Sequence, residues 1–256
     1  MIELWLATLA CLAVLFVAGW AICLVLRDNT PIDGLWAVGL ATAAVVAMVL
    51  GNGDPARRLL VVALVVVWAV RLAAHMWGRW LAEGHEDARY AAIRAGAGGS
   101  FWVSSLFTVF GLQAVVASII AAPVLSAGAH VGTIGALAWI GAGLALAGLL
   151  MEASADLQLS RHRKTRPGVL LTTGLWAWTR HPNYVGEAAF WWGVWLIAAD
   201  AGWTAAAWGL AGPALMTLLL TRATGVPMLE ARLAGKPGWA EYAARTPAFL
   251  PRPPRR

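Results

Sequence analysis

Seven long apolar segments divide this chain, and they constrain its fold more than any other feature of the sequence. They cover residues 4–26, 35–50, 59–76, 101–125, 134–151, 184–199 and 203–221. Most approach the roughly 17 to 25 residues that a helix needs to cross a bilayer, and tilt or burial accommodates the shorter second and sixth segments. With 60% hydrophobic and 12% charged residues, the composition is typical of a polytopic membrane protein. We predict an all-α bundle of about seven transmembrane helices in a single domain, residues 1–256.

Lysine and arginine are distributed unevenly between the ends of these segments. Seven crossings place Arg27, the basic run 161–166 and the C-terminal tail on one side, which the positive-inside rule makes cytoplasmic. Arg57 and Arg58 fall on the other side and do not follow this rule. The net charge of +6 comes from residues between and after apolar segments. We therefore expect contact with membrane lipids and no binding to nucleic acid.

Two connecting regions have recognisable patterns. Apolar and charged residues alternate at helical spacing over residues 226–244, which predicts an amphipathic C-terminal helix over the cytoplasmic mouth of the bundle. The Pro-rich, basic tail 247–256 predicts extended or loose chain. Glycines at 96–99 predict a flexible join before the fourth segment. We expect the membrane to be a bacterial inner membrane, with endoplasmic reticulum as the alternative, and leave the oligomeric state open.

A polar motif opens the sixth apolar segment. Residues 174–193 read GLWAWTRHPNYVGEAAFWWG, so an Arg-His-Pro-Asn-Tyr run and Glu187 stand directly before a membrane helix. Ionisable residues at this depth indicate a functional site. The alternative is that arginine and histidine anchor lipid headgroups while Pro182 begins the helix.

The fifth apolar segment continues into a polar helix, MEASADLQLSRHRKTRPG. Glu152 and Asp156 are four residues apart, hence on one face, and acids near the bilayer boundary need a cavity or a partner. The alternative is an ion pair with Arg161 or Arg163. The basic run 161–166 suits a phosphate or diphosphate, although the positive-inside rule explains it equally well.

Three isolated charges also need an explanation. Asp33 begins the second segment, where a helix N-cap is the favoured interpretation and a cavity acid the alternative. Arg71 lies inside an apolar run and requires a partner such as an anionic ligand, Glu152 or Asp33. Asp200 lies between the last two segments, and we interpret it as a turn residue.

The usual signatures of soluble nucleotide-binding and metal-binding proteins do not occur in this sequence. It contains no GxGxxG after a strand, no P-loop and no HExxH. His162 and His181 lack further ligands at the spacing that a metal requires, so we predict no metal site.

Three sequence segments together resemble the steroid 5α-reductase superfamily: GLWAW, RHPNYVGE and EYAARTPAFLP near the C-terminus. In particular, they resemble bacterial membrane proteins with the 3-oxo-5α-steroid 4-dehydrogenase C-terminal-type domain. Sterol C14 and C7 reductases share the Arg-His-Pro-Asn-Tyr run, and isoprenylcysteine carboxyl methyltransferases share a looser Arg-His-Pro-x-Tyr run. The resemblance is strong over residues 148–251, the cofactor-binding half. It is weaker over residues 1–100, where NTPIDGLW, WAVRL and EDARY carry it.

This resemblance implies a seven-helix bundle that holds NADPH at its cytoplasmic side, beside a lipophilic substrate. Glu152 stands where the steroid enzymes carry an asparagine, and Trp68 replaces a tyrosine that grips the substrate ketone. Asp33, His181 and Tyr184 form the expected catalytic set. The expected cofactor-binding residues are Arg79, Glu152, Asp156, Arg161, Arg163, Arg180, Asn183, Glu187, Tyr242 and Arg245.

We therefore expect an NADPH-dependent reductase of a carbon-carbon double bond in a steroid-like 3-oxo-Δ4 or isoprenoid substrate. Such a reduction delivers hydride to carbon while an acid stabilises the developing oxyanion, and Asp33, protonated by burial, is the candidate donor. The alternative is an S-adenosylmethionine-dependent enzyme like the isoprenylcysteine carboxyl methyltransferases, which share the run, a downstream Glu230 and the C-terminal ending. A third class is a non-catalytic lipid-binding protein. Asn183 followed by Glu187 favours the reductase.

Overall fold

The computed structural model describes residues 1–97 and 100–254, and within these ranges the chain forms helices and no β-strand. Gly98 and Gly99 of the predicted join, and the last two residues of the tail, lie outside the described residues. The α-helices are α1 (Ile2–Leu26), α2 (Ile32–Leu50), α3 (Pro55–Glu83), α4 (Ala88–Ala97), α5 (Phe101–Ser105), α6 (Leu112–Ile120), α7 (Ala122–Ala129), α8 (Ala136–Thr165), α9 (Pro182–Ala199), α10 (Trp203–Gly209), α11 (Ala211–Leu218), α12 (Val226–Leu233) and α13 (Trp239–Arg245).

Six helical stretches within the described residues are long and apolar enough to cross a membrane. They are Ile2–Leu26, Ile32–Leu50, Pro55–Glu83, Phe101–Ile120, Ala136–Thr165 and Trp203–Leu233. The chain is thus an all-helical, multi-pass membrane protein. The remaining predicted segment is α9, an 18-residue helix whose apolar character is reduced by Asn183 and Glu187. A seventh crossing through α9 stays a prediction.

Helices α8 and α9 pack backbone against backbone, because glycines line both sides of their contact. A methyl group placed on Gly148 would lie 2.5 Å from the carbonyl oxygen of Gly186 and 2.6 Å from the backbone nitrogen of Phe190. A methyl group on Gly141 would lie 2.6 Å from the carbonyl oxygen of Gly193. Small residues permit this approach. The close packing fixes the acids of α8 against the polar start of α9.

We expect Gly148→Ala to lower the free energy of unfolding by about 1–3 kcal/mol, because the new methyl group forces two backbones apart. Gly143→Ala is the matched control. It lies on the same helix, and a methyl group there would have no neighbour within 4 Å. Denaturant unfolding of the detergent-purified variants measures the difference. Equal stability of the two variants would show that α8 and α9 are not in close contact.

The prediction of one continuous C-terminal helix over residues 226–244 is wrong, because the helix is interrupted in the middle of this range. The structure contains two short helices, Val226–Leu233 and Trp239–Arg245. Gly238 between them has a φ of 78°, a left-handed conformation that glycine adopts readily. Pro237 lacks a backbone N–H and also disfavours a continuous helix. The turn folds α13 back toward the chain that precedes α9.

An ion pair closes the end of the bundle opposite the polar motif. Arg57 is fully buried, and its guanidinium lies 3.1 Å from Asp200 Oδ2. It also donates to the carbonyl oxygens of Gly132 at 2.9 Å and Thr133 at 3.0 Å. Asp200 is indeed in the turn after α9, and it accepts a further hydrogen bond from the backbone of Gly135.

Both arginines that break the positive-inside pattern are therefore engaged by protein groups. Arg58 donates to the carbonyl oxygens of Met48 at 2.8 Å and Gly51 at 2.6 Å. Burial opposes ionisation of Asp200, but hydrogen bonds from Gly135 and Arg57 outweigh it and lower the pKa of the carboxyl below its usual range. These charges hold helix ends together.

Candidate functional site

Helices α3, α8 and α9 bring five polar residues together, which we name the acid cluster: Arg71, Glu152, Asp156, Asn183 and Glu187. The Arg71 guanidinium is in contact with Glu152 and lies 2.7 Å from Asp156 Oδ2. The Asn183 amide donates to Asp156 Oδ1 at 3.3 Å. Glu152 and Asp156 are only 2% and 8% exposed. The predicted partner of Arg71 is confirmed for Glu152, while the alternative pairing of these acids with Arg161 or Arg163 is wrong.

An aromatic group supports the acid cluster from the apolar side. The indole nitrogen of Trp68 donates to Glu152 Oε2 at 3.2 Å. The Trp68 ring is fully buried, stacks on Phe190 at 5.5 Å and meets Trp191 edge-on at 5.3 Å. Trp68 therefore orients a buried acid.

The acid cluster has unused hydrogen-bonding capacity. Asn183 Oδ1 is buried and has no partner. The Glu187 carboxylate takes part in no hydrogen bond or ion pair among residues 1–97 and 100–254. Three acidic side chains thus lie around one guanidinium, and two of them, Glu152 and Asp156, contact it. Such an arrangement favours a bound group that brings hydrogen-bond donors or positive charge.

A second group of contacts surrounds Arg180 and His181, and we name it the C-terminal latch. Arg180 binds Glu230 through Nε at 2.7 Å and Nη2 at 3.0 Å. Its Nη1 donates to the carbonyl oxygens of Ala243 and Thr246. The His181 ring nitrogen Nε2 donates to Glu230 Oε1 at 3.0 Å. The motif residues therefore hold α12 and α13 in place.

Backbone and hydroxyl contacts extend the C-terminal latch along the tail. Tyr242 Oη donates to the carbonyl oxygen of Trp176 at 2.6 Å, and the Thr179 hydroxyl donates to that of Ala248 at 3.1 Å. The backbone N–H of Arg252 donates to Trp178 at 3.0 Å. These contacts attach the tail at Ala248 and Arg252 to the chain that precedes α9. Arg180 and Tyr242, expected at the cofactor, instead have their donors taken by protein carbonyls and a carboxylate.

His181 gives the C-terminal latch a pH dependence. Its ring is fully buried and stacks on Tyr184 with ring centroids 5.2 Å apart. Burial lowers the pKa of His181, outweighing the attraction of Glu230. The unfolded histidine takes up a proton near pH 6.5, whereas the folded one remains neutral to lower pH. The contribution of neutral His181 is therefore present above about pH 6.5 and is lost as the pH falls below it.

We expect the melting temperature of the wild-type protein to fall more steeply than that of His181→Gln between about pH 6.5 and pH 5. Glutamine cannot take up this proton, so the difference between the two curves isolates the histidine. Thermal unfolding in one detergent over a pH series measures it. Parallel curves would mean that His181 has the same proton affinity in both states.

Asp33 belongs to a third group, at the start of α2. Its Oδ2 accepts from Arg89 Nη2 at 2.7 Å and its Oδ1 accepts from Tyr90 Oη at 2.7 Å, with Arg79 at 3.9 Å. The N-cap of α2 is Pro31, without a side-chain capping bond, so the capping interpretation is wrong. Arg79 and Arg89 thus place two guanidinium groups near this side chain. Both oxygens of the Asp33 side chain are engaged by other side chains, and its expected role as a proton donor stays a prediction.

The contacts around Asp33 form part of a loop clasp, residues 28–33 and 86–94. Glu86 accepts from the backbone of Asn29 at 2.9 Å and pairs with Arg94 at 2.8 Å. Burial opposes ionisation of Asp87, but hydrogen bonds from Arg89 lower its pKa to about 2. Burial raises the pKa of Tyr90, and the adjacent Asp33 adds to this effect. The loop clasp ties the α3–α4 connection to the start of α2.

The expected site residues thus lie in three separate groups of contacts or at exposed positions. Glu152, Asp156, Asn183 and Glu187 meet in the acid cluster, with Tyr184 beside them on α9. Asp33 belongs to the loop clasp, and Arg79 on α3 lies 3.9 Å from it. Arg180, His181 and Tyr242 belong to the C-terminal latch. Arg161, Arg163 and Arg245 are exposed. The expected set omitted Arg71, although an arginine inside an apolar run was the signal for it. Within the described ranges, no group of three or more His, Cys, Asp or Glu residues could hold a metal.

The fold and these clusters define a multi-pass helical membrane protein with a buried, acid-rich polar centre. Residues 19–246 match the family described as Protein of unknown function (DUF1295), and the chain belongs to this family. It is similar to Uncharacterized protein C594.04c of Schizosaccharomyces pombe, with 27% identity over 229 residues. That match covers 75% of this chain and 66% of the yeast protein. No solved structure matches the chain.

Proposed function

We propose that this chain is an NADPH-dependent reductase of a carbon-carbon double bond in a lipophilic, steroid-like or isoprenoid substrate. We place it within the steroid 5α-reductase superfamily, as a seven-crossing bundle with its site and C-terminus facing the cytoplasm. The observation that carries this proposal is the acid cluster. It joins the Arg-His-Pro-Asn-Tyr motif to the buried acids of α8, among apolar helices.

The acid cluster has the groups that a nicotinamide cofactor requires. The carboxamide of a nicotinamide carries N–H donors, and the unpartnered Asn183 Oδ1 and the free Glu187 carboxylate are acceptors. The Asn183 amide nitrogen donates to Asp156, so the amide oxygen remains available to accept from a ligand. Arg161 and Arg163, exposed further along α8, are guanidinium donors suited to phosphate. These residues would hold the cofactor.

When bound, a nicotinamide cofactor supplies a hydride and is left with positive charge on its ring. The acid cluster favours that change, because it sets three acidic side chains, Glu152, Asp156 and Glu187, against one guanidinium. Trp68 and Arg71 hold Glu152 and Asp156 in fixed positions, so little reorganisation is needed during reaction. Apolar residues of the spanning helices would exclude water from the site.

Tyr184 is the proposed proton donor, in place of Asp33. It follows Asn183 on α9, and its ring is fixed by stacking on His181. Its hydroxyl makes no hydrogen bond to another described residue, whereas the Tyr90 hydroxyl is committed to Asp33. A free, oriented phenol can donate to an oxyanion that develops on a substrate.

The test of this proposal is turnover of lipophilic enones by the detergent-purified protein with NADPH, followed by mass spectrometry of the lipid. We expect a product heavier by two hydrogens. Tyr184→Phe should lower the rate by roughly 100- to 10,000-fold while NADPH still binds. Phe keeps the stacking surface, so this variant is its own structural control. Undiminished turnover in Tyr184→Phe would exclude the tyrosine as donor, and no reduction of any enone would count against the reductase.

The excess of carboxylates in the acid cluster also favours a second candidate. S-adenosylmethionine carries a sulfonium cation, which a site with three acidic side chains and one guanidinium would attract. A methyltransferase of the isoprenylcysteine carboxyl type is therefore the alternative function. Glu230, the residue that sequence comparison linked to this alternative, is bound by Arg180 and His181. It is therefore not free to contact a methyl donor.

A further inference from the structure

A small cavity lies on the side of the chain where the C-terminal latch meets the loop before α9. Its volume is about 240 Å³. It is lined by Thr172, Thr173, Ala177, Arg245, Thr246 and Pro254. Pockets for drug-sized ligands have roughly 300–1,000 Å³, so this cavity fits a small group and not a whole dinucleotide.

The polar groups around this cavity are free to bind. The side chains of Thr172, Thr173 and Arg245 make no hydrogen bond or ion pair within the described part of the chain. The Thr246 hydroxyl likewise makes no hydrogen bond to another described residue, although the Thr246 carbonyl oxygen accepts from Arg180. The three threonines and one arginine that line this small space supply hydroxyl and guanidinium donors of the kind that bind a tetrahedral oxyanion.

Trp176 links α8, which carries two acids of the acid cluster, to α13, whose last residue Arg245 lines the cavity. Trp176, next to Ala177, donates from its indole nitrogen to the carbonyl oxygen of Ala155 at 3.3 Å. Ala155 directly precedes Asp156 on α8. The carbonyl oxygen of Trp176 accepts from Tyr242. Tyr242 therefore holds Trp176, whose indole contacts the backbone next to Asp156.

We propose that this cavity binds a phosphate group, with Arg245 as the bidentate ligand and Thr172, Thr173 and Thr246 as hydroxyl donors. The phosphate belongs either to a nucleotide or to an anionic lipid headgroup at the membrane surface. Phosphate binding at this cavity does not depend on whether the protein catalyses hydride transfer. Only the case in which the phosphate belongs to NADPH rests on the proposed function.

The test titrates the full chain with phosphate compounds that contain no nicotinamide. In detergent, adenosine 2′-monophosphate and adenosine are compared. In nanodiscs, phosphatidylglycerol and phosphatidylcholine are compared by native mass spectrometry. We expect the phosphate compound of at least one pair to bind about 10-fold or more tightly than its uncharged or zwitterionic partner, and which pair does so identifies the source. We expect Arg245→Gln to remove the preference.

Two further variants separate binding at the cavity from general attraction to positive charge. Thr173→Val keeps the shape of the side chain and removes a hydroxyl, so the preference should fall several-fold. Lys236→Gln removes an exposed charge that does not line the cavity, and the preference should persist. Thermal unfolding verifies that all variants fold. If wild type, Arg245→Gln and Lys236→Gln bind both members of each pair alike, or if Lys236→Gln has the same effect as Arg245→Gln, the phosphate site does not exist.

Discussion

Replacing Arg71 with methionine is expected to lower the free energy of unfolding by about 3–5 kcal/mol, because it leaves buried carboxylates without their cation. Arg71 is the guanidinium that contacts both Glu152 and Asp156. Methionine keeps much of the side-chain volume, so the loss reports charge and hydrogen bonding more than packing. Denaturant unfolding of the detergent-purified protein measures it.

Two comparisons make the Arg71 experiment specific. Arg161→Met removes an exposed arginine of α8 and should change stability by no more than about 0.5 kcal/mol. The triple variant with Glu152→Gln and Asp156→Asn should recover part of the loss, since neutral amides need no cation. A loss below about 1 kcal/mol in Arg71→Met would mean that the acids are stabilised by other groups.

Replacing Arg57 with methionine is expected to have an effect of the same size, about 3–5 kcal/mol, at the other end of the bundle. The change leaves Asp200 without its cation and the carbonyl oxygens of Gly132 and Thr133 without their donors. Because Arg57 is fully buried, water cannot replace it. Thermal and denaturant unfolding in detergent report the loss.

Arg57→Lys serves as the graded control. An ammonium keeps the charge but cannot reach Asp200, Gly132 and Thr133 together, so an intermediate loss is expected. Arg222→Met, at an exposed position, should be close to neutral. If Arg57→Met and Arg222→Met are equally stable, the buried ion pair makes no net contribution.

The apolar segments predicted the membrane helices well, because hydropathy depends on composition and is local. The segment 4–26 corresponds to the helix Ile2–Leu26. Breaks inside segments were not predicted. The segment 101–125 contains a π-helical turn, Leu106–Gly111, and a new helix begins at Ala122, next to Pro123. In a lipid-facing helix apolar residues occur on every side, so periodicity gives no sign of such a change.

The acids of α8 and the polar start of α9 were predicted from short motifs, and the structure places them together. Their distant partners were not predicted. Asp33 meets Arg89, 56 residues away, and Arg180 meets Glu230, 50 residues away. No local pattern carries that information. An isolated charged residue in a sequence indicates that a partner is needed but does not identify that partner. Asp33 was therefore interpreted as a helix cap and a proton donor.

We propose that the acid cluster is a nicotinamide cofactor site, and a thermal shift measurement tests this proposal most directly. The melting temperature of the detergent-purified protein is compared without ligand, with NADPH and with S-adenosylmethionine. A ligand at 100 times its Kd stabilises the folded state by about 2.7 kcal/mol, which gives a resolvable shift. We predict a rise with NADPH alone that is lost in Asn183→Ala, whereas a rise with S-adenosylmethionine alone would contradict the cofactor assignment.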